Sequence, residues 1–246
     1  MISSVRLHLL RRARGLVMAS SARIDPTQET YLKEECILVD DDDRPIGSAS
    51  KRRCHLLTNI QNERGGMLHR AFSVFLFNRR SELLLQKRSD VKVTFPGFWT
   101  NTCCSHPLHV EPEMVESEQL GVRKAAQRKL KHELGISEEQ VPLDSIEYLT
   151  RIHYKAPSDD QWGEHEIDYI LFVQQEVDIH ADPNEVSDYK YVSVDQLKEM
   201  ISTAESKGVR ITPWFKLISD SFLYKWWENL ASLQSQKNHQ TIHRML

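Results

Sequence analysis

No apolar run in this 246-residue chain extends beyond a few residues, as in Val74-Phe75-Leu76-Phe77, whereas a membrane-crossing helix needs roughly 20. Cysteine is scarce. Four residues, Cys36, Cys54, Cys103 and Cys104, are too few to staple a chain of this length. Cys103 and Cys104 are neighbours and would make a strained pair, so all four read as reduced thiols in a reducing compartment. A strong charge of one sign is also missing, and the net of −3 argues against a protein built to wrap nucleic acid. Membrane span, collagen, disulfide mini-scaffold and disordered tail are excluded. What is present, 40% apolar and 27% charged residues, is the composition of a globular protein with enough chain for one sizeable core.

Acidic residues are absent from the first 24 positions, which hold Arg6, Arg11, Arg12, Arg14 and Arg23. The remainder carries 27 basic against 35 acidic residues, a net of −8. An acid-free, arginine- and serine-containing start interspersed with Val5, Leu7, Leu9, Leu10, Leu16 and Val17 reads as an organellar transit peptide. The plainer alternative is a basic leader without an address, and Met18 offers an internal start. Residues 1–24 are set aside from the fold.

From Tyr31 the pattern becomes that of an α+β domain. Glu35 to Val39 reads as a strand, Asp40-Asp41-Asp42-Asp43-Arg44-Pro45 as a solvated turn, and Ile46 resumes the strand. The acidic turn lacks the glycine and distal glutamate of a calcium loop. Asn62 to Gly66 reads as a loop. Ala71–Phe77 and Glu82–Gln86, separated by Asn78-Arg79-Arg80-Ser81, predict a second hairpin. Val122, Ala126, Leu130 and Leu134 form one stripe of a helix over Ser117–Leu134, with Gly135 as its C-cap. Strands are expected at Tyr148–Tyr154, Glu164–Val173 and Tyr189–Val192. Ser193 with Gln196 predicts a capped helix running to about Gly208. A last helix holds Trp214, Phe215, Phe222, Trp226 and Trp227, whose aromatic residues read as core or a lid on the sheet.

Three histidines stand in chemically loaded places: His55 after Cys54, His69 at the head of a strand, and His106 two residues after Cys104. In Gly163-Glu164-His165-Glu166 a strand presents both carboxylates on one side and His165 on the other. Three imidazoles and two carboxylates suffice for a five-ligand Mn²⁺, Mg²⁺ or Zn²⁺ site. Taken singly, each histidine reads equally as an ordinary hydrogen-bonded residue, and Glu-x-Glu as a solvated face. Lys51, Arg70, Lys87, Arg88 and Lys92 near these positions suit a diphosphate, or else form a generic basic surface.

Met67-Leu68-His69-Arg70-Ala71-Phe72-Ser73-Val74-Phe75, Phe95-Pro96-Gly97 running to Thr100-Asn101-Thr102-Cys103-Cys104-Ser105-His106-Pro107, Trp162-Gly163-Glu164-His165-Glu166 and Ile211-Thr212-Pro213-Trp214-Phe215 together resemble the type 1 isopentenyl-diphosphate Δ-isomerase family of eukaryotes. The likeness runs from about residue 32 to about 230. It implies a Nudix fold, α+β with a mixed β-sheet core flanked by helices and additions at both ends. The domains would be a leader (1–24), an N-terminal extension with a β-hairpin (25–66), a catalytic domain (67–217) and a C-terminal helix and tail (218–246). The Nudix box departs from its hydrolytic pattern in Arg128-Lys129-Leu130-Lys131-His132-Glu133-Leu134-Gly135. Lys129 and His132 replace two of three carboxylates, so cation-assisted attack of water at phosphorus should be weak or absent.

The resemblance implies a 1,3-allylic proton shift converting isopentenyl to dimethylallyl diphosphate. It assigns the metal to His55, His69, His106, Glu164 and Glu166, and a second cation, Mg²⁺ on the substrate diphosphate, to Glu133. Catalysis falls to Cys104, to Glu166 and to Tyr154 in an acid relay, with Glu166 delivering a proton and Cys104 removing one as thiolate. Lys51, Arg88, Lys92 and Ser105 would hold the diphosphate, and Trp162 would face the carbocation. Cys103 is left structural. No flavin is implied, and the partner is a small diphosphate, the chain being taken as a monomer without nucleic acid. The alternatives are a Nudix phosphohydrolase of a nucleoside diphosphate derivative and a non-catalytic diphosphate-binding relative. The leader favours mitochondrion and the internal start cytoplasm. A peroxisomal reading of His243-Arg244-Met245 is spoiled by Leu246, because the signal is read at the terminus.

Overall fold

A computed structural model describes residues 24–62 and 66–246; the expected leader, up to Arg23, lies outside them. In chain order the elements are α1 (Pro26–Tyr31), β1 (Glu35–Val39), β2 (Pro45–Ser50), α2 (Lys51–His55), α3 (Leu57–Ile60), β3 (His69–Phe77), β4 (Leu83–Arg88), β5 (Trp99–Thr100) and β6 (Cys103–Ser105). Then follow α4 (Leu120–Leu134), β7 (Ile146–Pro157), β8 (Gly163–Gln174), β9 (Val186–Val192), α5 (Val194–Thr203), α6 (Pro213–Ile218), α7 (Tyr224–Glu228) and β10 (Ile242–Arg244). The sheet runs β10-β7-β8-β3-β1-β2, with β4, β5, β6 and β9 attached beside β3. Pairs β3/β8 and β10/β7 are parallel and the other pairs antiparallel, so the sheet is mixed.

Strand alternation divides the core in two. On one side of β8, Ile167, Tyr169, Leu171 and Val173 pack against α4 through Val122, Ala126, Leu130 and Leu134. On the other, Ile170 and Phe172 pack with Trp214, Phe215, Ile218, Trp226 and Trp227. The apolar stripe of α4 therefore does what its period implies. Gly135, at φ +66, closes that helix by donating to Lys131 while Ile136 donates to Leu130, a left-handed cap that glycine adopts without strain. The box of Ser193 and Gln196 caps α5 in both directions.

Four expectations need correcting. The second hairpin exists only at its mouth, where Phe77 pairs with Leu83; β4 then leaves to pair with β9. Thr102 is the wedge, its hydroxyl accepting from Leu76 N–H and donating to the Leu84 carbonyl. Helix α4 begins at Leu120, because Glu118 and Gln119 lie at φ 52 and 53. Helix α5 stops at Thr203 and turns carry the chain to Gly208. The acidic turn is not wholly solvated: Asp43 is buried between Arg70 (2.9 Å), Arg151 (2.7 Å) and the Tyr169 hydroxyl. The tail also ends as a strand, β10 lying along β7 with Arg244 bonded to His153 Nδ1 at 2.6 Å.

Candidate active site

The parallel pairing of β3 with β8 puts His69 opposite Glu166, and the strand period puts Glu164 beside Glu166. Strand β6, antiparallel to the other edge of β3, sets Cys104 against Ser73 and delivers His106 just beyond its end. Helix α2 presents His55, whose Nδ1 bonds the Lys51 carbonyl at 2.7 Å. That bond requires the proton on Nδ1 and keeps Nε2 as the atom available to a metal. His55, His69, His106, Glu164 and Glu166 are all buried, with one ligand atom from each lying within 4.8 Å of all the others. The three imidazole centroids form a triangle 4.9 Å on each side.

This group fits a divalent ion. His55 Nε2 and Glu164 Oε2 are 2.8 Å apart, yet neither has a hydrogen bond, nor does either ring nitrogen of His69. Such orphans are rare in interiors, and lone pairs aimed at one point are what a bound cation satisfies. Octahedral ligands at bond lengths of about 2.1 Å span about 4.2 Å across the metal, comparable with the spread seen. Burial raises the Glu166 carboxyl, but the charge of His69, whose Nε2 lies 3.4 Å from Oε1, outweighs it and holds Glu166 at about 2. Burial lowers His69, and the Cys54 and Glu166 charges nevertheless lift it to about 9. Protons thus sit where an ion would release them.

The cavity above these ligands is lined by Lys51, Arg88, Lys92, Cys104, Ser105 and Tyr154 among others. All six are sequence-expected site residues. Tyr154 donates its hydroxyl to Glu166 Oε2 at 2.5 Å, and burial holds that phenol well above its usual range. Cys104 donates to Asn101 Oδ1 at 3.1 Å and receives the Trp214 Nε1–H at 3.2 Å. Strands β6 and β8 flank β3, so Cys104 and Glu166 reach the cavity from opposite sides. Arg88 spends Nε and one terminal nitrogen on the Thr94 and Phe95 carbonyls, which fixes the guanidinium and leaves its other terminal nitrogen free of these bonds.

Two expectations change here. The thiolate of Cys104 was expected from cationic neighbours. Burial instead pushes the thiol up to about 12, outweighing the Thr100 hydrogen bond and the Arg88 charge. Trp162 does not line the cavity; it carries Arg52 over its ring at 5.7 Å. The indole at the cavity is Trp214, which helical spacing had marked as core or a lid on the sheet. Glu133 stands apart from the five ligands. Its oxygens meet Lys129 Nζ at 3.1 Å and Gln86 Nε2 at 3.1 Å, with Cys103 Sγ at 3.5 Å. Asn101, whose carbonyl oxygen holds both Cys104 and Trp214 Nε1 (3.1 Å), was missed, as was Glu185; no local pattern distinguishes either from an ordinary polar residue.

Residues 67–215 match the NUDIX domain family. The chain is 55% identical over 226 residues to "Isopentenyl-diphosphate Delta-isomerase 1" of Bos taurus, spanning 92% of this chain and 98% of that one. It is 55% identical over 225 residues to "Isopentenyl-diphosphate delta-isomerase IDI1" of Gibberella zeae, covering 90% and 87%. Among solved structures, a Deinococcus radiodurans protein superposes with a TM-score of 0.52 at 16% identity, over 77% of this chain and all of that one; this likeness concerns the fold.

Proposed function

The chain belongs to the isopentenyl-diphosphate Δ-isomerase family, on a Nudix fold, and from that premise we infer that it interconverts isopentenyl and dimethylallyl diphosphate through an acid–base pair formed by Cys104 and Glu166. The observation that carries this is their placement: a thiol and a carboxylate at one buried cavity, on strands either side of β3.

A 1,3-proton shift needs a proton given to the terminal alkene carbon and another taken from the allylic carbon. The alkene π pair forms the new C–H bond, and the pair of the broken C–H bond becomes the new double bond. With Cys104 as the thiol and Glu166 as the carboxylate, Cys104 gives and Glu166 takes. The reverse form, thiolate and carboxylic acid, is its microscopic partner and serves the opposite direction. Tyr154 steadies Glu166 Oε2 through its hydroxyl, and the indole N–H of Trp214 steadies sulfur when it is charged. The Trp214 ring also offers an aromatic face to the tertiary carbocation, a contact worth about 2 kcal/mol or more when desolvated. Water kept out by the buried wall protects that cation from capture.

A divalent ion held by His55, His69, His106, Glu164 and Glu166 would supply fixed positive charge that keeps Glu166 ionised and oriented. Three nitrogens and two oxygens suit Mn²⁺ or Zn²⁺ better than Mg²⁺, which favours oxygen. Lys51, Arg88, Lys92 and Ser105 form the diphosphate wall, and Mg²⁺ would accompany the diphosphate. The hydrolase alternative is disfavoured by Lys129 and His132 in the Nudix helix, and the non-catalytic one by the presence of both Cys104 and Glu166.

Incubating the protein with isopentenyl diphosphate and Mg²⁺ in D₂O, followed by NMR, tests this reading. Deuterium-bearing dimethylallyl diphosphate, lost on chelation, is expected. Inorganic phosphate without isomer would favour the hydrolase, and binding without product the non-catalytic relative.

A further inference from the structure

Behind the cavity wall lies a carboxylate that the proton shift does not use. Glu185, just before β9, has a side chain with no solvent exposure. Its Oε2 is 2.5 Å from Lys92 Nζ and 3.6 Å from Lys129 Nζ. Its Oε1 accepts from Gln28 Nε2 at 2.8 Å, and its backbone carbonyl from Ser89 N–H at 2.9 Å. Lys92 and Gln28 both line the cavity. Gln28 lies on α1 and also donates to Asn184 Oδ1 at 2.7 Å, while Asn184 Nδ2 donates to Asp25, the N-cap of α1, at 3.0 Å. One buried anion therefore touches a cavity lysine on one side and the helix beside the cavity on the other. Burial alone would drive Lys92 towards neutrality; against that pull Glu185 leaves its ammonium at about 8.

We propose that Glu185 is a positioning residue for diphosphate capture, fixing the Lys92 ammonium at the cavity wall and fastening α1 beside it through Gln28. This rests on the diphosphate reading of the cavity. A free lysine side chain carries rotamer entropy that a ligand would otherwise have to remove on binding. Glu185 removes it during folding. The Lys92 ammonium has three N–H donors and gives one to Glu185 Oε2, which leaves donors for an incoming phosphate oxygen.

The test uses the full chain and two readouts: steady-state kinetics with isopentenyl diphosphate, and calorimetric binding of inorganic pyrophosphate with Mg²⁺. Glu185→Gln keeps an oxygen for Gln28 and removes the charge. It should raise KM and weaken pyrophosphate binding about tenfold while kcat stays within about twofold. Unchanged KM and pyrophosphate affinity in the folded variant would overturn the proposal, as would a fall in kcat with pyrophosphate affinity intact. Gln28→Ala reads the other arm, where a KM rise of about threefold is expected and no rise would count against it. Should Glu185→Gln not fold, Lys92→Gln is compared with the double variant, which buries no unpaired charge. Equal pyrophosphate affinity shows that Glu185 acts through Lys92, and a further tenfold loss, about 1.4 kcal/mol, contradicts it. Turnover by the parent protein decides the isomerase reading separately, so failure of either is recognisable.

Discussion

Two buried carboxylate pairs, one at a cavity wall and one behind it, are treated in opposite ways. Glu164 and Glu166 face three imidazoles, and His55, His69 and Glu164 keep atoms with no hydrogen bond. Glu133 and Glu185 face Lys92 and Lys129, and each of their four oxygens has a donor or ammonium partner. The first pair is built for an ion from outside. The second carries its cations on the chain, one of them at a position where the Nudix helix of hydrolases has a carboxylate. On the proposed function, the scaffold would hold its metal on strand β8 rather than helix α4, with the charge sign exchanged at Lys129 and histidines gathered from α2, β3 and the end of β6.

The largest effects should come from the first pair and its facing thiol. Cys104→Ala and Glu166→Gln should each lower kcat by roughly a thousandfold with the circular dichroism spectrum retained; activity within tenfold of the parent would break the assignment. The second pair should show its self-sufficiency as stability. Lys129→Met leaves two buried carboxylates with one ammonium and should cost about 3–5 kcal/mol in urea unfolding. A loss below about 1 kcal/mol would mean that the cluster is not held by its own lysines. In the first pair, His106→Gln should weaken metal binding by at least about tenfold, measured by competition with a chromophoric chelator. The same substitution should leave pyrophosphate binding to the chain without the histidine-site ion unchanged.

The smallest effect is a pH dependence of the second pair. Lys92 is depressed to about 8 by burial, so raising the pH through that value removes its charge and kcat/KM should fall on the alkaline side. Lys92→Arg, which stays charged, should move that limb to higher pH. An identical alkaline limb in the variant would assign the titration elsewhere.

Much of the first cluster was legible in the chain, Glu164 and Glu166 through the strand period and the three histidines through the family resemblance. Glu-x-Glu on a strand, histidines at element ends and the motifs surrounding them need no tertiary information. The second cluster was not. Lys129 meets Glu133 within one helix, but Glu185 comes from a loop 93 residues beyond Lys92, and nothing local marks it. The exchange of Trp162 for Trp214 has the same origin, because the approach of α6 to β6 that brings Trp214 to Cys104 leaves no local mark. Strand β10 escaped notice because three residues carry too little pattern to reveal pairing with β7. The helix stripe, the Gly135 cap and the Ser193 capping box held because their partners lie within one element.

Loading the protein with one equivalent of Mn²⁺ and recording its anomalous scattering in a crystal tests most directly which pair takes the ion. A single peak is expected within bonding distance of His55, His69, His106, Glu164 and Glu166, with Lys129 still between Glu133 and Glu185. A first peak at Glu133, with the histidine site empty, would contradict this.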